Sequence, residues 1–148
     1  GFAYAQYNLG NAYNQGVGVP ENDAEAVKWW RKAAEQGYAE AQYNLGFAYR
    51  IGEGVPENDS EAVKWYRKAA EQGHADAQLN LGFAYATGVG VPENYINAHA
   101  WSSMAKTQGH KDAATNLDLL KPRMTKQQIA DAQTLAAKCY ESNYKDCD

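Results

Sequence analysis

The chain is 148 residues long, enough for one domain with a sizeable core, and 45% of its residues are hydrophobic. Its net charge is −4 with acids and bases interspersed, so no Lys/Arg stripe is present to neutralise a phosphate backbone and nucleic acid is not an expected partner. No apolar run approaches the roughly 18 residues that span a bilayer and nothing at Gly1 looks like a signal peptide, so membrane insertion is not expected.

Laid on itself at an offset of 36 residues, the sequence brings Gly37, Gly73 and Gly109 into register, with Asn8, Asn44, Asn80 and Asn116. Leu9, Leu45, Leu81 and Leu117 coincide too, as do Tyr13, Tyr49 and Tyr85, then Pro20, Pro56 and Pro92, then Trp29, Trp65 and Trp101. A fixed period of this size is the signature of a solenoid. The expected organisation is a single domain, 1–148, with repeats 1–36, 37–72 and 73–108 and a degenerate half repeat 109–121.

Each repeat reads as two helices. In the second, Ala41, Leu45, Ala48, Tyr49 and Gly52 fall on one helical face, which predicts a first helix over about residues 39–51. The segment GEGVPEN follows, matching GVGVPEN at Gly16 and at Gly88. Glycine-rich loops before helices can cradle phosphate, but no Lys-Ser or Lys-Thr follows, as a phosphate-binding loop would require. The loop therefore reads as a hinge: Gly16 and Gly18 supply permissive backbone angles, Val19 plugs the hairpin and Pro20 fixes the approach to the second helix. Asn22 with Glu25, and Asn58 with Glu61, have the spacing of N-terminal capping boxes. The second helix then buries Ala62, Trp65, Tyr66, Ala69 and Ala70, and Gly73 stands where a left-handed residue would end it. Gly10, Gly46 and Gly82 lie inside first helices, where each costs about 1 kcal/mol relative to Ala, so close approach of the paired helices is expected there.

The third repeat departs from this pattern in YINAHAWSSMAKTQG, and Pro122 stops the fourth first-helix, which runs from about His110 to Leu120. Thr125 and Gln128 form a further capping box, opening a helix over 125–142 with Ile129, Ala132, Ala136 and Tyr140 on one stripe and a tail at 143–148. Such a helix would cap the last repeat, as solenoids require for solubility. No comparable cap precedes the first repeat. The chain opens without Met, in the register where a second helix ends, so part of a preceding repeat or cap is expected upstream. A homodimer or end-to-end contact through that uncapped end, around Tyr4 and Tyr7, is expected.

The pattern A-x-x-x-L-G-x-x-Y-x-x-G-x-G-V followed by A-x-x-W-Y-R-K-A-A-x-x-G, met nearly throughout 41–73, resembles that of the Sel-1-like repeat (SLR) family, relatives of the tetratricopeptide repeats. RMTKQQIADAQ resembles the closing segment of bacterial members. The resemblance implies an all-α, right-handed α-solenoid of about eight helices whose first helices line a concave surface. That surface would serve as a scaffold or adaptor for proteins and peptides, without catalysis or a cofactor. The inward positions would be Tyr7, Asn8, Asn11 and Asn14, then Tyr43, Asn44, Phe47 and Arg50, then Leu79, Asn80 and Phe83, with Ile51 and Thr87 beside them. Aromatic contact interleaved with amides that both donate and accept suits an extended peptide. Tyr43 and Phe47 could equally pack on the next repeat, and the Asn ladder could bond within the solenoid.

Cys139 and Cys147 would stand about 12 Å apart on a continuous helix, so a bond between them requires the helix to end between them, for which Ser142-Asn143 is a suitable stop; two free thiols are the alternative. The same C-x₇-C spacing links helices in the cysteine-rich secreted branch of the SLR family, and that resemblance implies a disulfide and a periplasmic or secreted protein, with the cytoplasm as the alternative. Ser103 and Lys106 match the S-x-x-K of penicillin-recognising enzymes, and some cysteine-rich relatives have been linked to β-lactams. This gives an alternative reading as a β-lactam-recognising or cell-wall-acting enzyme, although neither K-T-G nor S-D-N appears. His74 and His110, a whole repeat apart, follow turn glycines while His99 stands alone in the third repeat, so turn-surface histidines rather than a metal site are expected. Glu61, Lys64, Lys68 and Glu71, at i+3 and i+4 intervals, read as a solvated outer face.

Overall fold

A computed structural model describes all 148 residues, Gly1–Asp148. It contains α1 (Phe2–Gln15), α2 (Asp23–Glu35), α3 (Ala39–Ile51), α4 (Asp59–Ala70), α5 (Ala75–Thr87), α6 (Tyr95–Thr107), α7 (Ala113–Leu120), a 3₁₀ turn (Lys121–Arg123) and α8 (Lys126–Glu141). The fold class is an all-α solenoid of αα-hairpins. None of its helices is long and apolar enough to cross a membrane.

The glycine loops are turns in which backbone angles decide the residue. Gly16, Gly52 and Gly88 end the first helices in the left-handed conformation, and Gly18, Gly54 and Gly90 adopt positive φ two residues on. Asn22 and Asn58 cap the second helices by accepting from the N–H of Glu25 and Glu61, both at 3.0 Å. The expected reciprocal half of each box does not form. The backbone N–H of Asn22 donates to the carbonyl of Tyr13 at 2.8 Å, and that of Asn58 to Tyr49 at 2.8 Å, so the hairpin itself takes the donor. Glu25 and Glu61 turn instead to Lys28 and Lys64 on the exposed face. At the far end of α2, Gly37 at φ 90° allows the N–H of Tyr38 to reach Ala33 and that of Gly37 to reach Ala34, a Schellman stop.

Contacts divide the chain into two compact units, Gly1–Ala69 and Ala70–Asp148. In the first, Val27, Trp30, Leu45, Tyr49, Trp65 and Tyr66 form the core with the repeat alanines. Gly46 lies so close to α4 that an added Cβ would stand 2.9 Å from the Tyr66 ring and 3.1 Å from the Ala62 carbonyl. A Cβ added to the corresponding Gly10 would stand 2.5 Å from the Trp30 ring. Helix pairs therefore approach through their glycines, as the sequence predicts. The second hairpin loop also seats on α2: a Cβ on Gly54 would meet the Asp23 carbonyl at 2.3 Å.

In the second unit Leu81, Trp101, Met104, Leu117, Leu120, Ala132 and Cys139 are buried. Gly82 approaches Ser102 as Gly46 approaches Tyr66. Helix α7 begins at Ala113 rather than His110, because the His110 ring stays in the turn, bonding Asp76 at 2.8 Å and the Asp112 N–H at 3.2 Å. Helix α8 carries both halves of the Thr125/Gln128 box and packs against α6. Its buried stripe is not quite the one expected: Tyr140 is 59% exposed and its neighbour Cys139, seven residues after the buried Ala132 and so on the same helical face, takes the inward place.

Candidate binding face

In the first unit the exposed positions of α1 and α3 border a cleft of about 250 Å³ that gathers Tyr7, Asn11, Asn14, Asn44 and Phe47, with Asp23 and Glu53 at its edge. Three of these amides are partly committed to the framework. Asn11 Oδ1 accepts from Trp30 Nε1 at 2.9 Å and from Asn44 Nδ2 at 3.4 Å, while Asn14 Nδ2 donates to Asp23 Oδ1 at 3.0 Å. An amide has four hydrogen-bonding positions, so Asn11 keeps its Nδ2 and Asn44 its Oδ1 for another group. Tyr43 belongs mainly to packing, its ring 5.8 Å from that of Tyr66. Phe47 does not: it is 38% exposed, with the Arg50 guanidinium over its ring at 5.0 Å. Asn8 is exposed and lies outside the cleft.

In the second unit Leu79, Asn80 and Phe83 on α5 meet Thr115, Asn116 and Leu119 on α7 around a cleft of about 350 Å³. Phe83 and Leu119 are 58% and 66% exposed, so this cleft is the more apolar of the two. Thr115, Asn116 and Leu119 are missing from the sequence-derived set, although they stand 36 residues after Leu79, Asn80 and Phe83. Asn116 also braces the framework, donating to Ser102 Oγ at 2.7 Å.

Other amides are structural. Gln42 and Gln78 are buried and donate to the carbonyls of Ala34 and Ala70, each at 3.1 Å, which ties a first helix to the end of the preceding second helix. Gln36 donates to Gln6, and Gln108 to Gln78. The 36-residue register of Gln6, Gln42 and Gln78 carries that signal, but periodicity alone does not separate a buried Gln from a groove Asn.

The S-x-x-K residues do not form a nucleophile–base pair. Ser103 Oγ is 3.3 Å from His99 Nδ1, and Lys106, an exposed residue, makes no hydrogen bond to Ser103. The surface expectation for the histidines holds only in part. His74 caps α5 by accepting from Ala77, and His110 pairs with Asp76, but His99 lies mid-α6 and is 5% exposed. Burial, followed by the nearby Lys121 ammonium, lowers its pKa below the ordinary 6.5. An unfolded chain then binds more protons than the folded one just below that value, so His99 contributes stability above about pH 6.5 that is lost as pH falls towards its folded pKa. Thermal melts between pH 5 and 8 are expected to show this acid-side loss, and His99→Val to reduce it.

Cys139 and Cys147 are paired as a disulfide with Cα atoms 4.5 Å apart. Helix α8 ends at Glu141, and Asn143 and Tyr144 at positive φ turn the tail back, which is the break the pairing requires. The tail also places the Tyr144 ring beside Gly73.

Residues 3–38, 39–74 and 75–110 each match the Sel1 repeat, and the chain belongs to the Sel1 repeat family, whose members are in general protein-interaction scaffolds. It is similar to the crystal structure of a Sel1 repeat protein from Oxalobacter formigenes, at 36% identity and a TM-score of 0.80 over 96% of this chain and 66% of that one. It is also similar to a protective antigen of uropathogenic Escherichia coli strains that displays an SLR fold, at 37% identity and a TM-score of 0.87 over 97% of this chain and 32% of that one. The chain thus spans just under two thirds of the first and about a third of the second.

Proposed function

We propose that this protein is a non-catalytic scaffold that binds extended protein or peptide segments on the exposed faces of its first helices, α1 and α3 in one unit and α5 and α7 in the other. The observation that carries this reading is the exposure of Phe47, Phe83 and Leu119 at repeat-equivalent positions, beside amides that retain free hydrogen-bonding capacity. A packing role would have buried those side chains, as it has buried Leu45 and Leu81 in the same helices. Exposed aromatic anchors flanked by amides fit a partner that offers apolar side chains and an unpaired backbone. Asp23 and Glu53 border the first cleft and Asp112 the second, which favours a segment without net negative charge. The disulfide supports a periplasmic or secreted setting, since such bonds persist in oxidising compartments.

The test is a peptide library displayed against the intact chain. Peptides selected on the wild type are expected to bind Phe47→Ser and Phe83→Ser about tenfold or more weakly, the usual cost of truncating an anchor, with circular dichroism unchanged. Unaltered binding, or loss of fold in both variants, would reject the assignment.

A further inference from the structure

We propose that the cleft framed by α6, α7 and α8 is a second binding site, for a carboxylate, with Lys106 and Lys121 supplying positive charge and the His99 imidazole a hydrogen bond. The cleft measures about 560 Å³ and is lined by these residues together with Ser103, Asp118 and Gln133. It is lined from α6, α7 and α8 and shares no residue with the clefts of the reading above, on which it does not depend.

The repeats provide their own control. The positions of His99 in the two earlier repeats are held by Val27 and Val63, buried to 4% and 8% exposure against 5% for His99. Those of Lys106 are held by Ala34 and Ala70, both buried. Packing at these places needs only an apolar residue, and an imidazole in the Val position costs desolvation without a gain in contact. The third repeat nevertheless sets both polar groups on the wall of one cleft. Ser103, in the place of Arg31 and Arg67, engages His99 Nδ1, and Nε2 has no hydrogen bond within the protein. When the serine hydroxyl donates to Nδ1, a neutral ring carries its proton on Nε2, ready to donate to an oxygen in the cleft. Burial and the nearby Lys121 both keep the ring neutral.

Charge selects the ligand class. Lys121 pairs with Asp118 at 3.1 Å, while Lys106 has no acidic partner, so the ionisable groups facing the cleft sum to one positive charge. A monoanion is matched; a phosphate dianion would leave one charge uncompensated beside Asp118. The carboxylate could belong to a free organic acid or to the C-terminus of a peptide, and the recognition chemistry is the same.

The experiment follows the His99 ring nitrogens and the lysine ammonium groups by NMR in the full-length chain. The probes are benzoate, a tetrapeptide with a free C-terminus, its C-terminal amide, and inorganic phosphate. The expected result is a saturable shift of His99 Nε2 with benzoate, with the free-acid peptide, or with both; which of them binds identifies the source. His99→Val and Lys106→Ala restore residues that the other repeats carry, and each is expected to weaken binding about tenfold, the scale of a charged hydrogen bond. Lys28→Ala is expected to change nothing. Should His99→Val disturb the fold, Lys106→Ala, at an exposed side chain, carries the test alone. No saturable shift, an equal response to phosphate or to the amide, or full binding by Lys106→Ala would overturn the proposal.

Discussion

Gly46→Val is expected to lower the melting temperature by several degrees. Two terms oppose each other. Valine is a somewhat better helix residue than glycine, a gain of less than about 0.5 kcal/mol. Against this, even the Cβ would stand 2.9 Å from the Tyr66 ring and 3.1 Å from the Ala62 carbonyl, and valine adds two methyl groups beyond it. The ring can shift only by disturbing Tyr43, which packs against it at a tilt, and the carbonyl belongs to the α4 backbone. Overpacking of this kind costs about 1–3 kcal/mol, so the clash wins, and for a chain of this length about 2–4 °C is lost per kcal/mol. Gly46→Ala should lie between the two. A melting temperature equal to or above the wild type for both variants would show that α3 and α4 do not approach through this glycine.

Removing the disulfide with Cys139→Ala and Cys147→Ala together is expected to cost about 2.5 kcal/mol on the chain-entropy account of closing so small a loop. The loss should be local first. With the bridge gone the tail no longer has its anchor, and Tyr144 loses its seat beside Gly73. Hydrogen exchange should therefore rise in residues 139–148 and at the turn around Gly73 before it rises in α5. Unchanged exchange there, with an unchanged melting temperature, would mean that the tail's own packing holds it. Mass spectrometry of the unreduced protein checks the premise, because two free thiols would remove the support for an exported protein as well.

Much of this was legible because the repeat writes the same chemistry three times. The glycine at the end of each first helix, the capping Asn and the mid-helix glycine each recur at 36 residues, and each has one physical reading that the structure bears out. What the sequence concealed depends on partners distant along the chain. Nothing local says that the Asn22 and Asn58 N–H groups will prefer the carbonyls of Tyr13 and Tyr49 to a glutamate three residues away. Helical spacing admits Tyr140 to the inner stripe of α8, but the face that packs carries Ala132 and Cys139 and leaves Tyr140 exposed. In the sequence His99 stands alone in the third repeat, and only the packing of its helix with α7 and α8 shows it buried beside a cleft. The proposed binding face draws on α1, α3 and α5 in the sequence; the repeat pattern weakens after His110, and only the fold shows α7 as the other wall of the α5 cleft.

Placing recognition on the helix faces leaves the glycine loops as hinges only. Phe83 on α5 and Val89 in the loop after it are both exposed, at 58% and 46%, only six residues apart, so they separate the two readings within one repeat. The decisive measurement is the affinity of one selected peptide for Phe83→Ser and for Val89→Ser, determined side by side. The account predicts that Phe83→Ser loses about tenfold or more while Val89→Ser binds like the wild type. Loss on Val89→Ser with binding intact on Phe83→Ser would contradict it and return the site to the loop.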